Sequence, residues 1–246
     1  MKKNIKNLIG FVNSYGAIKG LSLTVKAASN PATINVPNVK HPIHLRRSTS
    51  DLPTFLQVFA FGEYKINLDN PKVIIDAGAN IGLFTIFIKS LYPNATVICI
   101  EPDPENYEAL KNNIKPYPNV HTEHCGLWSK DATLSVTTGD DYGKWGIMVR
   151  EDENGQIKAT SIPSLMKKYS LDKIDVLKID IETSEKFLFA SNYESWLPKV
   201  KVLVIELHDA MLPGCSQTFF EAINKTIRYS METKGENVII KNLDLN

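Results

Sequence analysis

The sequence predicts an α/β protein built on a mainly parallel sheet. Two observations carry this. Short apolar runs alternate with amphipathic stretches from residue 72 onward, and the chain closes with two runs joined by Lys234-Gly235 instead of another crossover. The strand runs are Val73–Asp76, Thr96–Glu101, Val120–Cys125, Val176–Asp180 and Val200–His208, apolar or β-branched as buried strands require. Helices are expected over Gly82–Leu91, Glu105–Ile114, Ser161–Lys168, Ser184–Ala190 and Gln217–Lys225. Ile227–Thr233 and Val238–Lys241 then form an antiparallel hairpin that completes seven strands. Residues 132–160 alternate in polarity and contain Gly139, Gly143, Gly146 and Gly155, so a β-hairpin insertion is expected there.

Ahead of the sheet, Ile5, Leu8, Ile9, Val12 and Tyr15 recur at helical spacing, with Gly10, Gly16 and Gly20 weakening the helix, and a further turn or two reaches Val25. Residues 30–38 read as a loop, His41–Arg46 as a strand, and Ser50-Asp51 as the cap of a helix with Leu52, Phe55, Leu56 and Phe59 on one face. The expected division is a basic helical N-terminal extension or lid, residues 1–70, and a sheet-bearing domain, residues 71–246.

The 246 residues carry 28 Lys and Arg against 27 Asp and Glu, a formal charge of +1. That balance excludes a disordered acidic tail and suits one α/β domain with a short extension. It also hides an asymmetry. Residues 1–50 hold Lys2, Lys3, Lys6, Lys19, Lys26, Lys40, Arg46 and Arg47 and no acidic residue, which leaves 20 basic against 27 acidic residues in the remainder. Cys99, Cys125 and Cys215 lack metal-ligand spacing, so reduced thiols are expected, and His121, His124 and Cys125 do not complete a zinc set. There is no apolar run long enough to span a membrane and no signal-peptide core, which points to the cytoplasm.

The chemistry concentrates at strand ends. Val73-Ile-Ile-Asp76-Ala-Gly78-Ala79-Asn80-Ile-Gly82 is a buried strand running through glycines into a helix. The spacing D-x-G-x-N-x-G is neither a dinucleotide fingerprint nor a phosphate loop. A strand-end carboxylate beside an open helix N-terminus suits a ligand that carries both an ammonium and a carboxylate. Glu101, followed by Pro102, ends the next strand, where a carboxylate can accept from both hydroxyls of a ribose.

These segments resemble the FkbM family of S-adenosylmethionine-dependent methyltransferases, together with Leu45-Arg46, Thr49-Ser-Asp51, Glu63-Tyr64, Leu110 to Asn113, Ile174–Glu182 and Ile205-Glu-Leu-His208. The resemblance covers residues 43 to 240. It implies a Rossmann-like class I methyltransferase fold, S-adenosyl-L-methionine as donor, and O-methylation of a sugar or polyketide-type hydroxyl. It places Cys125, Gly126 and Leu127 beside the adenine. One departure stands out: the family commonly has Glu-Gly where this chain has Glu182-Thr183.

Alternation puts Lys178, Asp180 and Glu182 on one side of the fourth strand if it stays extended that far. Asp180, Glu182 and His208 are the candidates to take a proton from the acceptor, since a protonated hydroxyl is a poor nucleophile. Arg46, Lys178 and Glu206 are candidates to bind the acceptor, with Arg46 near an anionic group, and Glu185 reads as a solvated first-turn residue. Oxygen-rich groups with His208 could hold a cation, but nothing in the spacing requires one and no metal is assigned. The expected partner is a small-molecule or glycan acceptor bearing an anionic group that the basic arm docks. Nucleic acid is disfavoured by the acidic body and by the absence of a Pro-Pro-Tyr or Pro-Pro-Phe motif. The alternative is a donor-binding protein without transfer activity in a biosynthetic assembly.

Overall fold

The computed structural model describes residues 2–137 and 148–245. Helices α1 (Lys2–Tyr15) and α2 (Ala17–Ala28) form an antiparallel hairpin, and α2 is longer than the turn or two expected. Gly20 makes the crossing possible, because a Cβ there would lie 2.6 Å from the backbone nitrogen of Val12. Strands β1 (Thr33–Ile34) and β2 (Ile43–His44) pair antiparallel inside what read as a loop and a strand. Helix α3 (Asp51–Phe55) runs on into a π-helical turn, Leu56–Phe61. Ser50 does not cap it with its side chain. Asp51 is instead drawn inward, where it accepts from the backbone and guanidinium of Arg46.

The sheet region follows as β3 (Val73–Ala77), α4 (Leu83–Leu91), β4 (Thr96–Ile100), α5 (Pro104–Ile114) and β5 (Val120–Glu123). A small excursion comes next: β6 (Gly126–Leu127), β7 (Ala132–Thr137), β8 (Met148–Glu151) and β9 (Ile157–Thr160). It forms its own sheet in the order β6-β9-β7-β8, with β7 antiparallel to β8 as the hairpin reading requires. Gly139, Gly143 and Gly146 lie outside the described residues. The chain then returns through α6 (Ile162–Lys168), β10 (Ile174–Ile179), α7 (Glu185–Leu188), β11 (Val200–Glu206), α8 (Cys215–Thr226), β12 (Tyr229–Lys234) and β13 (Asn237–Asn242).

The main sheet has seven strands in the order β12-β13-β11-β10-β3-β4-β5. The five strands from β11 to the β5 edge are parallel, and β13 enters antiparallel between β11 and β12. The order reverses direction between β3 and β10, so their C-terminal ends open a crevice at a topological switch point. Strand alternation feeds two cores. Ile74, Val97, Val176 and Val204 face the side shared with Phe11, Phe55 and Phe59, whereas Ile75, Ile98, Leu177 and Leu203 face Leu165, Phe189 and Phe219. The first of these cores is continuous from the N-terminal hairpin to the sheet. Gly20→Val should therefore push α2 off α1 and lower stability by about 1–3 kcal/mol in thermal or urea denaturation. A melting curve identical to wild type would refute this packing.

Candidate active site

The switch-point crevice is built around one buried ammonium. Lys178 on β10 pairs in register with Asp76 on β3. Its Nζ donates to the carbonyls of Gly78 at 2.7 Å and Ala77 at 3.3 Å and stands 3.5 Å from both Asp76 Oδ1 and Asp180 Oδ2. Burial lowers the pKa of this lysine, but the carboxylates of Asp180 and Asp76 outweigh it and raise it. Asp76 is wholly enclosed: Oδ2 accepts from Thr85 at 2.7 Å, while Oδ1 is buried without a hydrogen bond. Burial raises its pKa.

The loop after β3 is shaped by close approach. Gly78 has φ 72°, and a Cβ there would sit 1.7 Å from the carbonyl oxygen of Asp180. The glycine is thus required by the neighbouring strand end as well as by any ligand. Asn80 and Gly82 also adopt positive φ, and Ala79, between Gly78 and Asn80, is buried. Glu101 clasps this loop to the end of β4: Oε2 accepts from the amide of Asn80 at 2.7 Å and Oε1 from that of Asp103 at 3.0 Å. Burial pushes its pKa up to about 7 against the pull of those two amides. The Asn106 side chain is a further hydrogen-bonding neighbour of this carboxylate. Pro102 is half-buried beside it. Cys125 and Leu127 pack in the second core with Ile100, and Gly126 pairs with Ala159 in the small sheet. Burial raises the Cys125 thiol to about 12, which disfavours the thiolate.

At the end of β11, Glu206 and His208 meet Asp180 across the crevice. Nε2 of His208 lies 3.8 Å from Asp180 Oδ1 and 3.5 Å from Glu206 Oε1, and Nδ1 lies 2.9 Å from Glu185 Oε1. Burial opposes charge on the imidazole. The bond to Glu185 and the carboxylates of Asp180 and Glu206 outweigh it, pushing the pKa up to about 9. Burial and the proximity of Asp180 push Glu206 up to about 7. One donor atom each from Asp180, Glu206 and His208 falls within 4.8 Å of the others, so these three are the described residues able to hold a cation.

Three side chains gain a place that sequence reasoning did not give them. Glu185, read as solvated, is fully buried, and the same oxygen that meets His208 accepts from the amide of Ile181 at 3.1 Å. Thr85 anchors Asp76. Tyr64 packs edge-on against Phe84 at 5.0 Å, close enough to Lys178, Asp180, Asp76 and Glu206 for their charges to act on its phenol. Two candidates are placed differently from expectation. Strand β10 ends at Ile179 and the chain turns through Glu182 at φ 45° and Thr183 at φ 78°, so the extended alternation fails there and Glu182 is exposed. A β-branched residue in left-handed backbone is a strained outlier, which gives a physical reason for glycine at the Thr183 position. Arg46 is committed elsewhere: Nη2 reaches Asp51 Oδ1 at 2.8 Å and Asn106 Oδ1 at 2.7 Å.

The strand order, the glycine loop at the switch point and the carboxylate ending β4 define a Rossmann-like class I methyltransferase. Residues 76–230 match the methyltransferase FkbM domain, and the chain belongs to that family. It is 26% identical to Methyltransferase 1 of Beauveria bassiana over 175 residues, covering 69% of each chain. It is 24% identical to the 31-O-demethyl-FK506 methyltransferase FkbM of Streptomyces tacrolimicus over 213 residues, 72% of this chain and 82% of that one. The crystal structure of the methyltransferase FkbM from Methylobacillus flagellatus shares the fold with a TM-score of 0.52 at 16% identity, over 72% of this chain; the match spans 44% of that longer chain.

Gly78→Ala should be poorly tolerated, because it combines a clash with the Asp180 carbonyl and a disfavoured φ. We expect a loss of about 3 kcal/mol or more in urea unfolding; wild-type stability would show that the two strand ends are not in contact.

Proposed function

We propose that the protein is an S-adenosyl-L-methionine-dependent O-methyltransferase acting on a hydroxyl of a glycan or other small-molecule acceptor. The observation that carries this reading is the pairing, at one switch-point crevice, of a clasped Glu101 with a buried His208–Glu185 dyad. Charge supports the donor. Among the described residues, Asp76, Glu101, Asp180, Glu185 and Glu206 crowd around Lys178 and His208, and Glu101 and Glu206 carry raised pKa values as a result of burial. A cationic ligand relieves that crowding. When bound, S-adenosylmethionine supplies a methyl group already activated on a sulfonium.

Glu101 is assigned the ribose hydroxyls, and the backbone from Gly78 through Ala79 and Asn80 to Gly82, with Pro102, lines the donor. Cys125, Gly126 and Leu127 offer an apolar wall to the base. On the acceptor side, Asp180, the most open carboxylate of the cluster, holds the hydroxyl, and Nε2 of His208 receives its proton. Glu185 fixes the imidazole with Nδ1 as donor, leaving Nε2 free to accept. Glu206 completes the acceptor wall. Lys178 holds the loop carbonyls and Asp180 in place. The relative from Streptomyces tacrolimicus, a 31-O-demethyl-FK506 methyltransferase, supports oxygen as the acceptor atom. Methyl transfer from labelled donor into candidate hydroxyl acceptors tests the reaction, and a labelled nucleic acid or amine product would refute it.

Two variants probe the residues. Glu101→Gln removes the charged acceptor of two hydroxyls, so calorimetry should show donor affinity falling about tenfold or more; unchanged affinity excludes the ribose role. For the wild type, kcat/KM should rise with pH toward a limb near 9, because His208 accepts only after losing the proton that its carboxylate neighbours stabilise. Glu185→Gln removes one of those neighbours and should move the limb down by about one to two units. A limb that stays in place would dissociate Glu185 from the base.

A further inference from the structure

The N-terminal hairpin carries an apolar surface that the protein body does not cover. Ile5 and Ile9 on α1 are 50% and 55% exposed, and Ile18, Leu21 and Val25 on α2 are 88%, 55% and 65% exposed. The first pair is one helical turn apart, and the second group repeats at three and four residues, so each set forms a stripe. On α2 the stripe lies opposite the buried Gly20, Leu23 and Ala27. On α1 it lies opposite Gly10 and Ser14, both of which meet Ala60. Both stripes therefore point away from the core. Lys19 and Lys26, seven residues apart, run beside the α2 stripe, and residues 1–50 contain eight basic and no acidic side chains.

We propose that the α1–α2 hairpin docks the protein on an anionic membrane surface, with the aliphatic stripe entering the headgroup boundary and the lysines meeting lipid phosphates. The pattern of exposed aliphatic side chains flanked by lysine is that of a helix lying in the interface plane, where burial and charge attraction add. No helix among the described residues is long and apolar enough to cross a membrane, so the contact is peripheral. Charge selects this occupant. A second copy seated symmetrically on the same patch would bring two acid-free basic arms together. A protein partner is disfavoured because the stripe offers no Trp, Tyr or Arg anchor, the residues that concentrate affinity in such interfaces.

Flotation of the full chain with vesicles tests this. The protein should float with phosphatidylcholine vesicles containing phosphatidylglycerol, not with phosphatidylcholine alone, and salt should release it. The triple variant Ile18→Ser, Leu21→Ser, Val25→Ser should cut the bound fraction about tenfold, and Lys19→Glu with Lys26→Glu should abolish the salt-sensitive part. Circular dichroism and the melting temperature establish that each variant is folded, and Ile18→Ser alone, at the most exposed position, serves if the triple variant is not. Absence of flotation with anionic vesicles, equal flotation with neutral ones, or undiminished flotation of the folded serine variant overturns the proposal. So does a serine variant that turns an oligomer into a monomer in a protein that binds no vesicles, since a second copy would then be the occupant.

Discussion

The ammonium of Lys178 ties together everything at the switch point. It is buried among strand ends, where an unpartnered charge could not survive. Asp76 and Asp180 hold its proton, and in return it holds the carbonyls of Ala77 and Gly78 and fixes the start of the glycine loop. The loop in turn gives its Asn80 amide to Glu101. Asp180, anchored on the other side, stands where it can face His208. One lysine thereby connects the part of the crevice assigned to the donor with the part assigned to the acceptor, and the carboxylates that serve the chemistry also make the buried cation tolerable.

That coupling explains why five of the body's carboxylates, Asp76, Glu101, Asp180, Glu185 and Glu206, share one crevice. Clustered carboxylates destabilise one another, and the raised pKa values of Glu101 and Glu206 record how far burial and crowding have gone. Such an arrangement is expected where function, not stability, sets the composition. The strain at Thr183 belongs to the same region: the chain must leave β10 sharply to bring Glu185 back under His208, and it does so through two residues in left-handed backbone. The basic residues missing from this body gather in the N-terminal arm, so the net +1 is the sum of two regions with different physical roles.

Much of this was legible in the sequence because it rests on local pattern. The short, continuous apolar runs located the parallel strands of the main sheet, and D-x-G-x-N-x-G with Glu101 located the switch-point loop, since backbone geometry there demands particular residues. What escaped is what depends on distant packing. Glu185 looks like an ordinary first-turn carboxylate until His208 arrives from β11. Ser50 has the composition of a cap, but Arg46 draws Asp51 inward and the hydroxyl goes unused. Glu182 lies on the line of Lys178 and Asp180 only while the strand stays extended, and it ends at Ile179. Exposure of Ile18 and Val25 was equally hidden, because helical spacing does not say which apolar stripe finds a partner.

The most direct test of this account is a crystal structure with S-adenosylhomocysteine bound. It should place the ribose on Glu101 and the thioether at the C-terminal ends of β3 and β10, facing Asp180 and Nε2 of His208. A ligand seated elsewhere on the fold, or a ribose that leaves Glu101 untouched, would contradict it.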